Sequence, residues 1–400
     1  MSSSVVLLLF AALFCVVVGG DECASVESAS VWLWNGVEMP RVGLGTAGRT
    51  GARTVRLAYD AGVRLFDTAR AEEWYDESGV ARGLSDVVRS EVFVITKLHP
   101  RDHGSNSCAR AVDESAAKFG GVIDLFLLHY PSCWEGLCGR GWRTEGTWRD
   151  SWRSLERAYE KGTVRAIGVS NFQASDFKEL LAFASIKPQV IENYLDPFHQ
   201  DRSLKTLAEA NDVVYVSYST LGTQWQMQGK ANPVFSNAIL ENMAREKHTD
   251  IATVVLTWAL AKGLVVIPRS TKADHLKTNA NLLQGEKLRL CLTQQDLKTI
   301  DDLDNTHKKE VTTVAAFFSS DIYANLFWLD DQRQRHHVAH LKPNDPPVHI
   351  STYPGHTFHA VTHNNITQHF YVDKRPGEEA FFHLKGKKQD DENNDAEEEL

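Results

Sequence analysis

The sequence lacks an excess of positive charge. Its 400 residues contain 43 Lys and Arg against 52 Asp and Glu, which gives a formal net charge of −9 at pH 7. No stretch of the chain forms a basic stripe. Because nucleic-acid affinity comes largely from basic side chains that neutralise phosphates, nucleic acid is excluded as the main partner. The hydrophobic fraction of 42% is typical of a globular protein with a sizeable core.

Cysteine is also scarce, with 6 residues in the whole chain. This is too few for a disulfide scaffold in a chain of this length. Cys133 and Cys138 lie close together in the loop-like segment "SCWEGLCGRGW" and could pair in an oxidising compartment, but the sequence leaves the disulfide pairing open. No second pair of Cys or His stands at the spacing of zinc ligands, so a metal site is not expected.

The apolar run at the N-terminus, "VVLLLFAALFCVVV" at residues 5–18, is too short to span a bilayer comfortably. Because small residues follow it, we predict a signal peptide over residues 1–20 and no membrane span after its cleavage. The protein is then expected in the secretory pathway, lumenal or secreted, which agrees with the glycosylation sequon at Asn365. The segment "MSSS" carries no Lys or Arg, so an uncleaved anchor is the alternative.

From about residue 41 to 283, short β-branched runs alternate with longer amphipathic segments. Eight strands are predicted, in "RVGLGT", "RLFDTA", "VFVITKL", "VIDLFLLHYP", "RAIGVSN", "PQVIENYL", "VVYVSYSTL" and "LVVIPRS". Helices are predicted between them, in "SWRSLERAYEKG", "DFKELLAFA" and "NAILENMAREKHTDIATVVLTWALAKG" among others. Eight strands alternating with helices over about 250 residues are typical of a (β/α)8 TIM barrel, which we predict over residues 31–310.

The segments before and after this alternation have other patterns. "VWLWNGVEMP" predicts a hairpin with Asn35-Gly36 as a type I′ turn. Residues 317–384 consist of short aromatic-rich runs broken by Pro, Asp, Asn and Gly, which predicts a small all-β sandwich domain. Residues 385–400 are a charge run without aromatic residues and are interpreted as a disordered tail.

Titratable side chains stand where three consecutive predicted strands end. Asp67 ends the second strand and Tyr75 lies in the loop after it, while Lys97 and His129 end the third and fourth. Catalytic groups of a (β/α)8 barrel come from these ends. Asp67 would hold Lys97 charged, Lys97 would lower the pKa of the Tyr75 phenol, and Tyr75 would protonate a carbonyl oxygen that His129 also binds. Taken singly, each residue has an ordinary structural explanation.

Several motifs in order across the chain resemble the aldo-keto reductase family. They are "FDTA", "ITKLHP", "DLFLLHYP", "GTVRAIGVSNF", "VSYSTLG", "VVLTWALAKGLVVIPRST" and "TNANLL". The resemblance implies NADP(H) as cofactor, hydride transfer to an aldehyde or ketone as the reaction, and catalytic roles for Asp67, Tyr75, Lys97 and His129. The loop after Asp67 is longer than is usual in the family, and one alignment puts Trp74 in place of Tyr75. Tyr75 is the only phenol in this loop.

The same resemblance implies a cofactor site. Its residues would be Ser170 and Asn171 at the nicotinamide carboxamide, Tyr218 on the nicotinamide ring, Ser219 and Leu221 at the pyrophosphate, and Arg269, Ser270, His275 and Asn279 at the adenosine 2′-phosphate. Glu192 replaces a glutamine, and a carboxylate accepts from the carboxamide but cannot donate to it. His275 replaces an arginine, so we predict NADP(H) with a reduced preference over NAD(H).

The β region resembles the β domain of the von Hippel–Lindau protein in "FWL", in the segment "VHISTYPGHTF" and in a later "FYVD". That family binds hydroxyproline-containing peptides. The resemblance implies ligand contacts for Thr352, His356 and Phe358 and hence a peptide partner, although these residues could equally fill the core of a small sandwich.

The leading hypothesis is therefore an NADP(H)-dependent reductase of a small carbonyl substrate with an appended binding domain. The alternative is a catalytically weak protein that senses the nicotinamide cofactor while its β domain docks a partner. The four predicted catalytic residues favour the enzyme, whereas Glu192 and His275 keep the alternative open.

Overall fold

The computed structural model describes residues 22–26, 28–284, 287–306, 313–319, 323–329, 335–344, 348–352, 357–362, 367–371 and 379–384. The predicted signal peptide (1–20) and the predicted charged tail (385–400) lie outside the described residues. The chain divides into two compact units, of which the first ends at Asp304 and the second begins at Asn305. No helix within the described ranges is both long and apolar enough to cross a membrane.

A short antiparallel hairpin precedes the barrel and consists of β1 (Ser30–Trp32) and β2 (Glu38–Pro40). The predicted hairpin is confirmed, but the predicted turn type is wrong. A type I′ turn needs positive φ at both central residues, whereas of Asn35 and Gly36 only Gly36 has one, at 80°. The turn hydrogen bond runs from Gly36 N to Leu33 O, so the turn starts one residue earlier than predicted.

Eight parallel strands form the barrel, in the order that the sequence predicts. They are β3 (Gly43–Gly45), β4 (Leu65–Asp67), β5 (Phe93–Leu98), β6 (Leu125–Leu128), β7 (Ile167–Ser170), β8 (Val190–Tyr194), β9 (Val214–Tyr218) and β10 (Val265–Val266). Each strand pairs with the next one along the chain. A parallel bridge between Val42 and Val266 closes the sheet, so the (β/α)8 barrel is confirmed.

Helices follow the barrel strands and cover the outside of the sheet. The α-helices of the described ranges are α1 (Ala52–Asp60), α2 (Glu77–Gly83), α3 (Ser105–Lys118), α4 (Glu135–Cys138), α5 (Trp148–Glu160), α6 (Ala174–Phe183), α7 (Arg202–Glu209), α8 (Thr223–Met227), α9 (Ala238–Glu246), α10 (Ile251–Ala261), α11 (Ala273–Ala280) and α12 (Gln294–Asp301). Between α11 and α12, β11 (Leu283–Gln284) pairs with β12 (Lys287–Leu288).

The segment 237–263 was expected to be helical throughout, but the structure contains the two helices α9 and α10 there. His248 has a left-handed φ of 53°, which interrupts the helix. Asp250 then caps α10, because its side chain accepts a hydrogen bond from Thr253 N at 2.7 Å. The "TD" pair before the apolar run was the sequence signal for this second start.

The hairpin β1–β2 covers the N-terminal end of the barrel. Leu33 and Met39 are 2% and 0% exposed and pack with the inward-facing side chains of the barrel strands. The Trp34 indole donates to Pro188 O at 2.9 Å, and the Asn35 amide donates to Arg165 O at 2.9 Å. These carbonyls precede β8 and β7, so the opposite, C-terminal end of the barrel is the one left for a site.

The second unit is all-β within the ranges that the structure describes. Its strands are β13 (Thr313–Ser319), β14 (Ala324–Leu329), β15 (Arg335–Leu341), β16 (Val348–Thr352), β17 (Thr357–Thr362), β18 (Thr367–Tyr371) and β19 (Glu379–Leu384). They form a three-stranded sheet, β16-β13-β19, and a four-stranded sheet, β15-β14-β17-β18. Phe317 of the first sheet shares a buried core with Leu326 and Phe358 of the second. The predicted all-β region is therefore confirmed.

Two disulfides cross-link the first unit. Cys133 pairs with Cys138, a pairing that the sequence had left open. Cys23 pairs with Cys291, 268 positions away in the sequence, which sequence reasoning missed. Cys108 is the remaining thiol of the described residues, and burial raises its pKa to about 12. A protonated, buried thiol is a packing group rather than a nucleophile.

Candidate active site

Side chains alternate between the inside and the outside of the barrel along each strand, and this places polar side chains at the open end of the barrel. Leu65, Ile95, Leu127, Val190 and Val216 belong to the inner core. Successive residues of a strand face opposite sides, so the residue two positions beyond each of these also faces the barrel interior. Those residues are Asp67, Lys97, His129, Glu192 and Tyr218. The two-residue repeat of the β-strands therefore places five predicted site residues in one layer.

Lys97 lies at the centre of this layer and is only 1% exposed. Its ammonium donates to a carboxylate oxygen of Asp67 and to Thr68 O at 3.0 Å, and it lies 3.3 Å from Glu192 Oε1. Burial opposes the positive charge, but Asp67 and Glu192 outweigh it and raise the pKa of Lys97. The side chain is therefore held charged between two carboxyl groups.

Asp67 and Glu192 are each 2% exposed, so two buried carboxyl groups share one ammonium. Burial, followed by repulsion from Asp67, raises the pKa of Glu192 to about 8. Burial also raises the pKa of Asp67, although Lys97 draws it down. Like charges at one site cannot both ionise easily, so burial and this repulsion favour the protonated form of Glu192.

Tyr75 lies in the loop between β4 and α2, with its ring centroid 5.2 Å from Lys97 Nζ and 5.9 Å from the His129 ring. The sequence predicted that Lys97 lowers the pKa of the phenol. Burial is the larger influence and raises the pKa of Tyr75, while Lys97 lowers it in the predicted direction without outweighing burial. The phenol therefore keeps its proton at neutral pH.

The competing residue, Trp74, occupies a different place on the rim. Its ring meets His129 edge-on at 6.1 Å and Tyr130 at 6.4 Å. An indole has one N–H donor and does not titrate, so it cannot replace a phenol as a proton donor. Trp74 is better suited to form the wall of the cavity.

His129 follows β6 directly and is 4% exposed. Burial, followed by the charge of Lys97, holds the pKa of the imidazole well below its usual range. Its Nδ1 is buried and has no hydrogen-bond partner among the described residues. His129 is thus a neutral imidazole with hydrogen-bonding capacity to spare.

Two adjoining cavities lie at this end of the barrel. The first, of about 310 Å³, is lined by Asp67, Tyr75 and His129, among others. The second, of about 760 Å³, extends towards α9 and α11. Of the predicted cofactor residues, Ser170, Asn171, Glu192, Tyr218 and Ser219 line the first cavity, Ser270, His275 and Asn279 line the second, and Leu221 and Arg269 line both.

These residues fit an extended dinucleotide. Glu192 Oε2 is buried in the wall of the first cavity without a hydrogen-bond partner among the described residues, as expected for a group that meets a ligand. Tyr218 donates to Asn171 Oδ1 at 2.6 Å, which fixes the amide beside the ring. In the second cavity, Arg269 supplies an exposed guanidinium of the kind that binds phosphate.

Sequence reasoning missed two side chains of these cavities. Tyr130 lines the first cavity, with its ring 4.8 Å from that of His129. Its position directly after His129 in "LLHYP" was an available signal. Arg245 of α9 lines the second cavity and adds a second cation beside Arg269. No spacing in the sequence links Arg245 to this site, because α9 reaches it only through the fold.

The predicted ligand site of the β region is not assembled among the described residues. Phe358 is 1% exposed, and its ring centroid lies 4.9 Å from that of Phe317. Its predicted contact with a ligand does not fit this position, because the ring fills the core. His356 and the side chain of Thr352 lie outside the described residues. The peptide partner therefore stays a prediction.

Comparisons with known proteins identify the family of the barrel. Residues 42–305 match the Aldo/keto reductase family. The chain is 33% identical over 281 residues to the 9,11-endoperoxide prostaglandin H2 reductase of Trypanosoma cruzi. The match covers 68% of this chain and 91% of that protein. It is 32% identical over 305 residues to the NADPH-dependent D-xylose reductase of Meyerozyma guilliermondii, which covers 69% and 94%.

A solved structure shows the same likeness. The Bombyx mori aldo-keto reductase, crystallised in complex with NADP, superposes with a TM-score of 0.62 at 25% identity and covers 70% of this chain and 94% of its own. The protein is thus a (β/α)8 barrel with a buried lysine between two carboxyl groups, beside a phenol and an imidazole. The chain belongs to the aldo/keto reductase family.

Proposed function

We propose that this protein reduces an aldehyde or ketone to the alcohol, with NADPH as the hydride donor and Tyr75 as the general acid. The observation that carries the proposal is the meeting of Tyr75, His129 and the Asp67–Lys97 pair at one cavity, which adjoins a second cavity lined by Arg269. The match over residues 42–305 supports the reaction class, since several relatives are named as reductases.

Tyr75 supplies the proton. Its phenol is protonated at neutral pH and lies beside the Lys97 ammonium, which stabilises the phenolate that forms as the proton leaves. The proton passes from Tyr75 to the carbonyl oxygen of the substrate, and the neutral His129 donates a hydrogen bond to the same oxygen. Asp67 takes no part in the transfer and positions Lys97.

The cofactor would supply the hydride that reaches the carbonyl carbon. Asn171, Ser170 and Glu192 would hold its carboxamide, and Tyr218 would cover one face of the nicotinamide ring. Arg269 and Arg245 line the second cavity and would bind a 2′-phosphate there. They compensate for His275, which binds phosphate weakly while neutral.

The proposal is tested by NADPH oxidation with a reactive aromatic aldehyde, using residues 21–400, beside a titration of NADPH binding by fluorescence. We expect both binding and aldehyde-dependent oxidation. Binding without oxidation would contradict the reductase and favour the cofactor-sensing alternative.

The cofactor part of this test has a matched control pair. Arg269→Ala removes a cation from the cavity wall, whereas Lys277→Ala removes an exposed one from α11 that does not line the cavity. A charge-assisted contact is worth about 1.5–3 kcal/mol, so Arg269→Ala should weaken NADPH binding by roughly ten- to a hundredfold. NADH, which lacks the 2′-phosphate, should be affected little by either change. Equal losses for the two cofactors would place the phosphate site elsewhere.

We also propose that the protein is made in the secretory pathway. Its two disulfides support this, because disulfides persist in oxidising compartments and are rare in the cytosol. Full-length protein expressed in eukaryotic cells should be glycosylated at the Asn365 sequon and lose mass on treatment with a glycosidase. A protein recovered with reduced thiols and no glycan would overturn this localisation.

A further inference from the structure

Glu192 is a titratable group that the proposed proton transfer does not use. It lies in β8, on the far side of the barrel interior from β4 and β5, and reaches Lys97 across the barrel with Oε1 3.3 Å from Nζ. Its other oxygen, Oε2, is buried in the wall of the first cavity and has no hydrogen-bond partner in the part of the chain that the structure describes. One end of this carboxyl group therefore faces the ammonium and the other is free for a ligand.

Charge balance around this residue is unusual. The groups that face Glu192 are Asp67 from β4, Lys97 from β5, and the neutral phenols of Tyr75, Tyr130 and Tyr218. Asp67 already neutralises Lys97 through a direct contact. A second negative charge on Glu192 thus has no cation of its own, which is why the group holds a proton in the absence of a ligand.

The two redox forms of a nicotinamide differ by one positive charge on the ring. A glutamine at this position would meet both forms with the same neutral amide. A carboxyl group can instead match its own charge to the ring, neutral beside the reduced form and ionised beside the oxidised form. The chemistry of the side chain, rather than its shape, makes this difference.

We propose that Glu192 releases its proton to solvent when NADP⁺ binds and keeps it when NADPH binds, so that this residue couples the redox preference of the cofactor site to pH. The inference rests on the proposed function only in taking the nicotinamide to occupy the first cavity. It requires no turnover.

The direction of the pH effect follows from this coupling. Below the pKa of Glu192, NADP⁺ must displace a proton, so its affinity rises with pH until that pKa, at about 8, is reached. NADPH binds the protonated form, so its affinity is constant over the same range. The affinity ratio of NADP⁺ to NADPH should therefore rise by up to about tenfold per pH unit between pH 6 and 8.

The test compares wild type with Glu192→Gln, which keeps the shape of the side chain and removes its titration. Dissociation constants for NADP⁺ and NADPH are measured by fluorescence from pH 6 to 9, and proton release is measured by calorimetry in buffers of different ionisation enthalpy. In wild type we expect the rising ratio and release of about one proton on NADP⁺ binding at pH 7. In Glu192→Gln we expect a flat ratio and no release.

Asp67→Asn is the second variant, because Asp67 is the other carboxyl group of the cluster. Loss of the pH dependence in Asp67→Asn with its retention in Glu192→Gln would assign the proton to Asp67 and overturn the proposal. A flat ratio in wild type would also overturn it, even where turnover is normal. If neither cofactor binds wild type, both this proposal and the proposed function fail, whereas binding without turnover removes only the latter.

Discussion

Replacing Tyr75 with phenylalanine is expected to lower kcat for aldehyde reduction by about 10²–10⁴-fold, the range typical for loss of a general acid. The ring of the phenylalanine can keep the packing against Lys97 and His129, so the change removes the hydroxyl alone. NADPH binding should be unchanged. Because burial raises the pKa of Tyr75, the proton donor is present throughout neutral pH, and the loss should be the same at pH 6 and pH 8.

Two variants of neighbouring residues control for disturbance of the cavity wall. Trp74→Phe tests the alternative alignment, and Tyr130→Phe removes another phenolic hydroxyl from the same cavity. Both should lower kcat far less than Tyr75→Phe. If Trp74→Phe abolished turnover while Tyr75→Phe did not, the assignment of the general acid would be wrong.

Most of this site can be predicted from the sequence because residues at the C-terminal ends of different barrel strands lie at the same end of the barrel. Lys97 and His129 end short apolar runs. His129, Asp67 and Glu192 line the same cavity, and Lys97 contacts both carboxyl groups. The period of two also separates inward from outward positions without knowledge of the partner strands. Strand identity alone was therefore enough to bring these residues together.

The charge state of the site was not predictable in the same way. The pKa of Tyr75 depends on its burial relative to its distance from Lys97, and neither quantity can be read from the sequence. The contact between Lys97 and Glu192 joins two strands that are not neighbours in the sheet. The sequence showed Glu192 only as a substitution in a cofactor site, without its link to the lysine.

Connections across long stretches of chain were also beyond sequence reasoning. Cys133 and Cys138 lie five positions apart, so their pairing follows from local chain geometry. Cys23 and Cys291 are brought together only when the segment before the barrel packs beside α12. In the β region, an aromatic residue such as Phe358 carries the same sequence signal whether it fills a core or faces a ligand, and its burial decides between the two.

Replacing Lys97 with methionine is expected to lower the free energy of unfolding of the barrel by about 3–5 kcal/mol at pH 7, besides abolishing turnover. Methionine fills a similar volume but leaves Asp67 and Glu192 buried without a cation. Urea unfolding followed by tryptophan fluorescence measures the effect, since of the 10 Trp residues only Trp328 follows Asp304. Lys298→Met, which breaks an exposed ion pair with Asp302, is the control and should change stability little.

A second substitution and the pH dependence distinguish loss of the Lys97 charge from a simple packing defect as the cause of the lower stability. Lys97→Met/Asp67→Asn removes the carboxyl group that Lys97 contacts directly and should recover roughly 0.5–3 kcal/mol, the size of coupling seen between contacting residues. Without Lys97, both carboxyl groups have folded-state pKa values above those of the unfolded chain, so stability is greatest at acidic pH and falls as pH rises through the folded values. The deficit of Lys97→Met should therefore grow between pH 5 and pH 8. A deficit that is independent of pH and not relieved by Asp67→Asn would mean that Lys97 contributes volume rather than charge.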